Sequence, residues 1–184
     1  MKDNKKDNVT FFSSGAVRDT TVGKSRMELI PVELIPSQIY ENMNADVNVV
    51  LDKKQMLQNI FDLLIKIRMG NIDAEVLDDL IISSFNIVGK KYIDTMYEVG
   101  IHYGAGGEKY GDNNFMLGQK LSHTTGSYLR HLVKYIQGWK DEAPHERGMI
   151  WNAINIKLIV THYKDNPEIC DMIHWYKDGK PTGK

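Results

Sequence analysis

The sequence predicts an all-α fold, a single-domain helical bundle preceded by an extended N-terminal arm, and three observations carry that prediction. Apolar residues recur at three- and four-residue spacing over most of 52–163, which is the period of one helix face. Residues that start and stop helices bracket those stretches. The chain shows no internal repeat and no alternating segments that would form a strand ladder.

Residues 1–12 open with the charged text MKDNKKDN and are expected to be disordered, because they hold little to bury. The domain itself spans 13–165, and 166–184 form a tail. Up to Ile30 the text is punctuated by Gly and Thr without a helical period, and reads as an arm lying over the bundle. Pro31 and Pro36 bracket Val-Glu-Leu-Ile, so a helix there is short or restarts after the second proline. Asp52 to Gln55 has the form of a capping box, and Met56, Ile60, Leu63, Leu64 and Ile67 follow as one stripe. Gly70-Asn71 ends that helix. Asp73 caps the next, whose apolar set is Val76, Leu77, Leu80, Ile81 and Ile87, with a break at Gly89.

The pattern resumes from Tyr92 to Tyr103. Gly104 to Asn114 is too rich in glycine for regular structure and is expected to be a loop. A helix starts at Leu121 or Thr124 and runs to about Gln137, capped by Gly138. Pro144 precedes a last helix to Tyr163 that is apolar nearly all round, hence central and buried. Ile169, Met172, Ile173 and Trp175 suggest a short docking helix in the tail.

Composition narrows the function classes. The 184 residues suffice for one domain with a real core, and 42% hydrophobic with 26% charged residues is ordinary for a globular protein. A net charge of −1 supplies no field for a nucleic-acid polymer or an anionic membrane. One cysteine, Cys170, permits no internal disulfide. No apolar run reaches the ~20 residues of a membrane span, and the charged start is unlike a signal peptide, so a cytoplasmic location is expected.

Polar residues planted in apolar helices carry the chemistry. Glu98 and His102 stand one turn apart; they form either a surface pair or two ligands of one metal ion. His131 lies between apolar neighbours beside Arg130 and one turn from Lys134. It is either a satisfied core histidine or part of a cationic group that an anion such as phosphate would complete. His145 stands at a helix start, where anions are favoured, and Asn152 shares its face two turns on. Arg18, Lys24 and Arg26 make the arm basic: solvated charges, or a cover for phosphates. Gly23-Lys24-Ser25 is not a P-loop, because Arg18 stands where the pattern needs glycine. No His-Asp dipeptide is present, which weighs against phosphohydrolases built on one, and no nucleophile motif occurs.

In order along the chain, GAVRDTTVGKSRMELIP, Glu98-x-x-x-His102, GGEKYGDNNF, SYLRHL and PHERGMIWN resemble the phage dATP/dGTP diphosphohydrolase domain family, a branch of the all-α MazG-like nucleotide pyrophosphohydrolases. The matches cover about 13–36 and 95–160. Residues 37–90 are an inserted helical pair relative to compact members. Phe115 stands where the family usually has Trp, and Gly148 where many members carry a second His; both that substitution and the insertion bear on whether catalysis is retained.

The resemblance implies hydrolysis of a purine deoxynucleoside triphosphate to the monophosphate and pyrophosphate by a homo-oligomer, dimer or tetramer, in a host cytoplasm if phage-encoded. It implies a divalent ion, Mg²⁺ or Mn²⁺, with Zn²⁺ or Co²⁺ as alternatives suited to histidine. Glu98, His102, His131 and His145 would be its catalytic ligands, with Asp141 or Glu142 adding a carboxylate. Arg18, Lys24, Arg26, Lys109, Arg130 and Lys134 would neutralise the phosphates, while Asn114, Asn152 and Trp151 would meet base, sugar or the metal's surroundings. The alternative is a module that binds or sequesters a nucleotide without cleaving it. A purely structural helical protein ranks last, since it leaves the inward polar residues unexplained.

Overall fold

A computed structural model describes residues 9–11, 14, 17–19, 25–47, 51–140, 144–178 and 180–183. The described chain folds as one helical domain. Its α-helices are α1 (Ser37–Glu41), α2 (Lys53–Arg68), α3 (Ala74–Val88), α4 (Tyr92–Tyr110), α5 (Leu121–Gln137) and α6 (His145–Tyr163). Short 3₁₀ turns occupy Met27–Leu29, Val32–Leu34, Asn114–Leu117 and Asp171–His174. None of the described helices is long and apolar enough to cross a membrane.

Local signals set the helix ends as the sequence suggests. The Asp52 carboxylate accepts from the Gln55 amide, and that of Asp73 from the Val76 amide, each satisfying an otherwise orphaned donor. The Gln55 side chain turns to Asn59 instead of closing a reciprocal box. Gly89 and Gly138 adopt the left-handed conformation that ends α3 and α5. The α5 start is capped from a distance: Asp171 accepts from the Ser122 amide at 2.9 Å and from its hydroxyl at 2.5 Å.

Helix α6 is the axis of the domain. It is flanked by α3, α4 and α5, and twelve of its residues are buried, among them Met149, Ile150, Ile154, Ile156, Leu158 and Ile159. Helix α2 backs α3, so the region 37–90 is no appendage; α3 forms one wall of the core. Lys157, on the half-buried side of α6, donates to the Leu34 carbonyl at 2.8 Å and to Asp78 at 2.5 Å.

Three expectations need correction. Residues 104–114 are not all loop, because α4 runs on to Tyr110. Gly100 and Gly107 fall at i and i+7, on one face of α4, and both lie against the 25–30 segment. A Cβ at Gly100 would overlap the Ser25 hydroxyl, and one at Gly107 would lie 3.3 Å from Leu29. Packing of the 25–30 segment there offsets the ~1 kcal/mol per glycine that an exposed helix would lose. Ser25 Oγ donates to the Tyr97 carbonyl and the Arg26 amide to that of Gly100, binding the described end of the arm to α4.

Strand pairing is also present, as two small antiparallel ribbons: β1 (Val9–Phe11) with β2 (Val17–Asp19), and β3 (Tyr176–Lys177) with β4 (Lys180–Pro181). Val9–Phe11 thus lies in a strand within the stretch expected to be disordered. Asp178, at φ 52°, opens the second hairpin, and Asp-Gly is a strong two-residue turn signal that the sequence reading passed over. The tail docks through a short helix, as its apolar residues suggest; it is the 3₁₀ turn Asp171–His174, and Cys170 and Met172 are buried there.

Candidate functional site

The site lies where α4 and α5 meet on α6. Glu98 faces Arg147 and His102 faces Trp151, four residues on in each helix, so α4 runs parallel to α6. His131 meets His145 and Ser127 meets Asn152, so α5 runs antiparallel to it. This arrangement collects groups separated by up to 54 residues of sequence onto one seam.

At the α6 start, the His131 and His145 rings approach with Nδ1 atoms 3.3 Å apart, where one nitrogen can donate to the other. The imidazole of His131 occupies the space beside Gly148: a Cβ there would lie 2.7 Å from its Cε1 and Nε2. Asn152 is buried, and its Nδ2 donates to the Gly148 carbonyl at 2.6 Å and to Ser127 Oγ at 3.3 Å. His145 and Asn152 therefore share a face, as their spacing requires.

His102 is half-buried, with its ring edge-on to Trp151 at 5.8 Å. Burial, then the positive fields of His131 and Arg147, push its pKa down to about 4, so it is neutral at physiological pH. Glu98 accepts from Lys90 Nζ at 2.7 Å, and its second oxygen lies 4.0 Å from Arg147 Nε. Arg147 Nε is buried and has no hydrogen-bond partner among the described residues.

Beside His102 opens a cavity of about 280 Å³. Tyr103, Tyr110, Phe115 and Trp151 give it aromatic walls, Asn114 and Gln119 bring carboxamides, and Lys109 stands near the mouth. Tyr103 packs edge-on to Phe115 at 4.9 Å, so the two rings form one continuous wall. The size lies just below the ~300–1,000 Å³ usual for ligand pockets.

The other expected residues sort as follows. Arg26 is held by Asp112 at 3.0 and 3.2 Å and by Glu28; these hydrogen bonds, Asp112 first, raise its pKa well above the usual value. Arg26 thereby fastens the arm beside the loop after α4, rather than presenting a free guanidinium to phosphate. Arg130 and Lys134 line a separate apolar groove with Leu129, Val133 and Trp139, away from the cavity lining. Arg18 stands in β2 opposite Thr10. Lys24, Asp141 and Glu142 lie outside the described residues.

Among the described residues, no three His, Cys, Asp or Glu side chains are arranged to hold a metal ion. Lys90 engages one oxygen of Glu98, and His131 and His145 turn their Nδ1 atoms to each other; among the described residues these side chains do not converge as three ligands on one point.

Sequence reasoning missed Tyr103, Tyr110, Gln119 and Arg147. Arg147 had a signal, since it precedes Trp151 by one turn and so shares its face. No family model, curated protein or solved structure matches this chain.

Proposed function

We propose that this protein binds a purine deoxynucleoside triphosphate, dATP or dGTP, and hydrolyses it to the monophosphate and pyrophosphate. The observation that supports this best is the aromatic cavity opening beside a seam of imidazole and guanidinium groups on the same helices. The base enters the cavity, where stacking on an aromatic ring contributes about 1–3 kcal/mol. The Asn114 and Gln119 carboxamides offer one donor and one acceptor each to a purine edge. The phosphates leave the cavity at its His102 end, where a neutral imidazole can donate a hydrogen bond. Phosphate cleavage of this kind, as the resembled family implies, draws on a divalent ion as Lewis acid. The described donors do not fit that ion, so the steps assigned to this chain are binding and orientation.

The second reading is a module that sequesters or senses the nucleotide without cleaving it, which the aromatic cavity would serve equally well. Self-association belongs to both readings: Val133, Ile136 and Trp139 leave 43%, 43% and 58% of their surfaces exposed on and just beyond α5.

A hydrolysis panel over the four deoxynucleoside triphosphates with Mg²⁺, Mn²⁺ or Co²⁺, with products resolved chromatographically, separates the readings. Monophosphate plus pyrophosphate from a purine substrate supports the hydrolase. Tight calorimetric binding without turnover moves the protein to the sequestering class. Neither binding nor turnover overturns both.

A further inference from the structure

We infer that Arg147 is the residue that binds the polyphosphate of the ligand, a role that the sequence motifs do not assign to it. The inference rests on the nucleotide reading above and names the group that receives the charged end.

Position comes first. Arg147 precedes Trp151 by one turn of α6, and Trp151 is a wall of the cavity. Across the seam it faces Glu98 on α4, one turn before His102, which lines the cavity and feels the Arg147 charge. Arg147 is not itself part of the cavity wall; it stands one helical turn before Trp151, on the side of the wall that His102 and Trp151 share.

The bonding state of Arg147 points the same way. Its side chain is only 21% exposed, and Nε is shielded from solvent without an acceptor among the described residues. A buried guanidinium donor with no acceptor is costly, and native proteins rarely leave one so. Glu98 does not meet the need. At 4.0 Å the contact is too long for a hydrogen bond, and Lys90 holds the same carboxylate at 2.7 Å. Lys90 also offsets the negative charge that would otherwise repel a phosphate. A phosphate oxygen is an acceptor that suits the vacant donor, and the planar fork of Arg grips phosphate through paired hydrogen bonds.

The other cations named in the sequence are placed differently. Arg26 is committed to Asp112 and Glu28, and Arg130 and Lys134 border the outer groove of α5. Lys109, which lines the cavity, sits over the Tyr110 ring and lies eleven residues along α4 from Glu98, the residue that faces Arg147.

The test is a binding series on the full chain with Mg²⁺ present. The probes are the α,β-methylene analogues of dATP and dGTP, which resist cleavage at that bond, the corresponding deoxynucleosides, and inorganic tripolyphosphate. Arg147→Met should weaken the triphosphate analogue and tripolyphosphate on the order of 10- to 100-fold, and change deoxynucleoside affinity less than about twofold. Arg147→Lys, which keeps the charge and loses the fork, should fall between. Thermal melting of each variant shows whether the fold is retained. Equal losses for nucleoside and triphosphate, or no loss for either, overturn the assignment. If the wild type binds tripolyphosphate through Arg147 but no nucleotide, the nucleotide reading fails and the anion site stands. If the wild type binds none of the probes, both fail.

Discussion

The imidazole of His131 fills the place that a side chain on Gly148 would need, its Cε1 and Nε2 lying 2.7 Å from the ideal Cβ position. Gly148 has helical backbone geometry within α6, so it is required here for space and not for an unusual φ.

The pair can be tested by a double-mutant cycle. Gly148→Ala forces the His131 ring away from its contact with His145, and overpacking of this kind costs about 1–3 kcal/mol. In a His131→Ala background the same substitution meets no ring and should cost little, or gain slightly from higher helix propensity. Urea denaturation of the four proteins should give a coupling of at least about 1 kcal/mol. Additive effects would show that the ring and residue 148 do not share this space.

His102 gives a pH signature. Its pKa in the folded protein is about 4, against 6.5 for an ordinary histidine, because burial and then His131 and Arg147 disfavour the imidazolium. Above pH 6.5 both folded and unfolded states hold it neutral, and stability is unaffected. Between 6.5 and about 4 the unfolded chain takes up a proton that the folded protein refuses, so stability falls as pH falls. Below about 4 the loss is complete, and the gap corresponds to roughly 3 kcal/mol. His102→Gln removes this titration while leaving the carboxylates alone. The difference between wild-type and variant unfolding free energies should therefore narrow in the wild type's disfavour from pH 7 to 4. Parallel profiles would show that His102 titrates normally.

How far the sequence revealed the fold depended on distance along the chain. Asp52, Asp73, Gly89 and Gly138 act on residues within one turn, and each was legible. Asp171 caps a helix 49 residues earlier, and nothing local announces it. The glycines of α4 were misread because their cost as helix residues is visible in sequence, whereas the segment that packs on them is brought there by the fold. The site divided in the same way. His102, Lys109, Asn114 and Trp151 do surround one cavity, while Arg130 and Lys134 do not join it, because neighbours in sequence project from different sides of a helix.

The attachment of the arm to α4 yields a further expectation. A methyl group at Gly100 would overlap Ser25 Oγ and press on Met27 Sδ at 3.0 Å. Ser25 can rotate away, but only by giving up its hydrogen bond to the Tyr97 carbonyl. Gly100→Ala should therefore change stability by less than about 1 kcal/mol, because the loss of one such bond is offset by a similar gain in helix propensity. Gly100→Val cannot be accommodated by a hydroxyl rotation, and should detach the 25–30 segment from α4. Limited proteolysis should then cut that segment well before the bundle. Unchanged protease resistance in Gly100→Val would mean the arm is held elsewhere.

Glu98 separates a chemical role from a structural one. Its bonded partner Lys90 is 45% exposed on the side chain, and exposed ion pairs of this sort contribute about 0–1 kcal/mol. Arg147 stands too far away to add a hydrogen bond. Glu98→Gln preserves shape and an acceptor oxygen, so the unfolding free energy should change by less than about 1 kcal/mol. Nucleotide binding should be retained or tightened, since a negative charge is removed from beside the phosphate path. Turnover is a different matter: a carboxylate that takes a proton or contacts the reacting phosphate typically contributes about 10²–10⁴-fold. Under the hydrolase reading kcat should fall by at least ~100-fold while melting temperature and affinity hold. A large loss of stability with a proportionate loss of activity would place Glu98 in the framework, as the partner that neutralises Lys90 and Arg147.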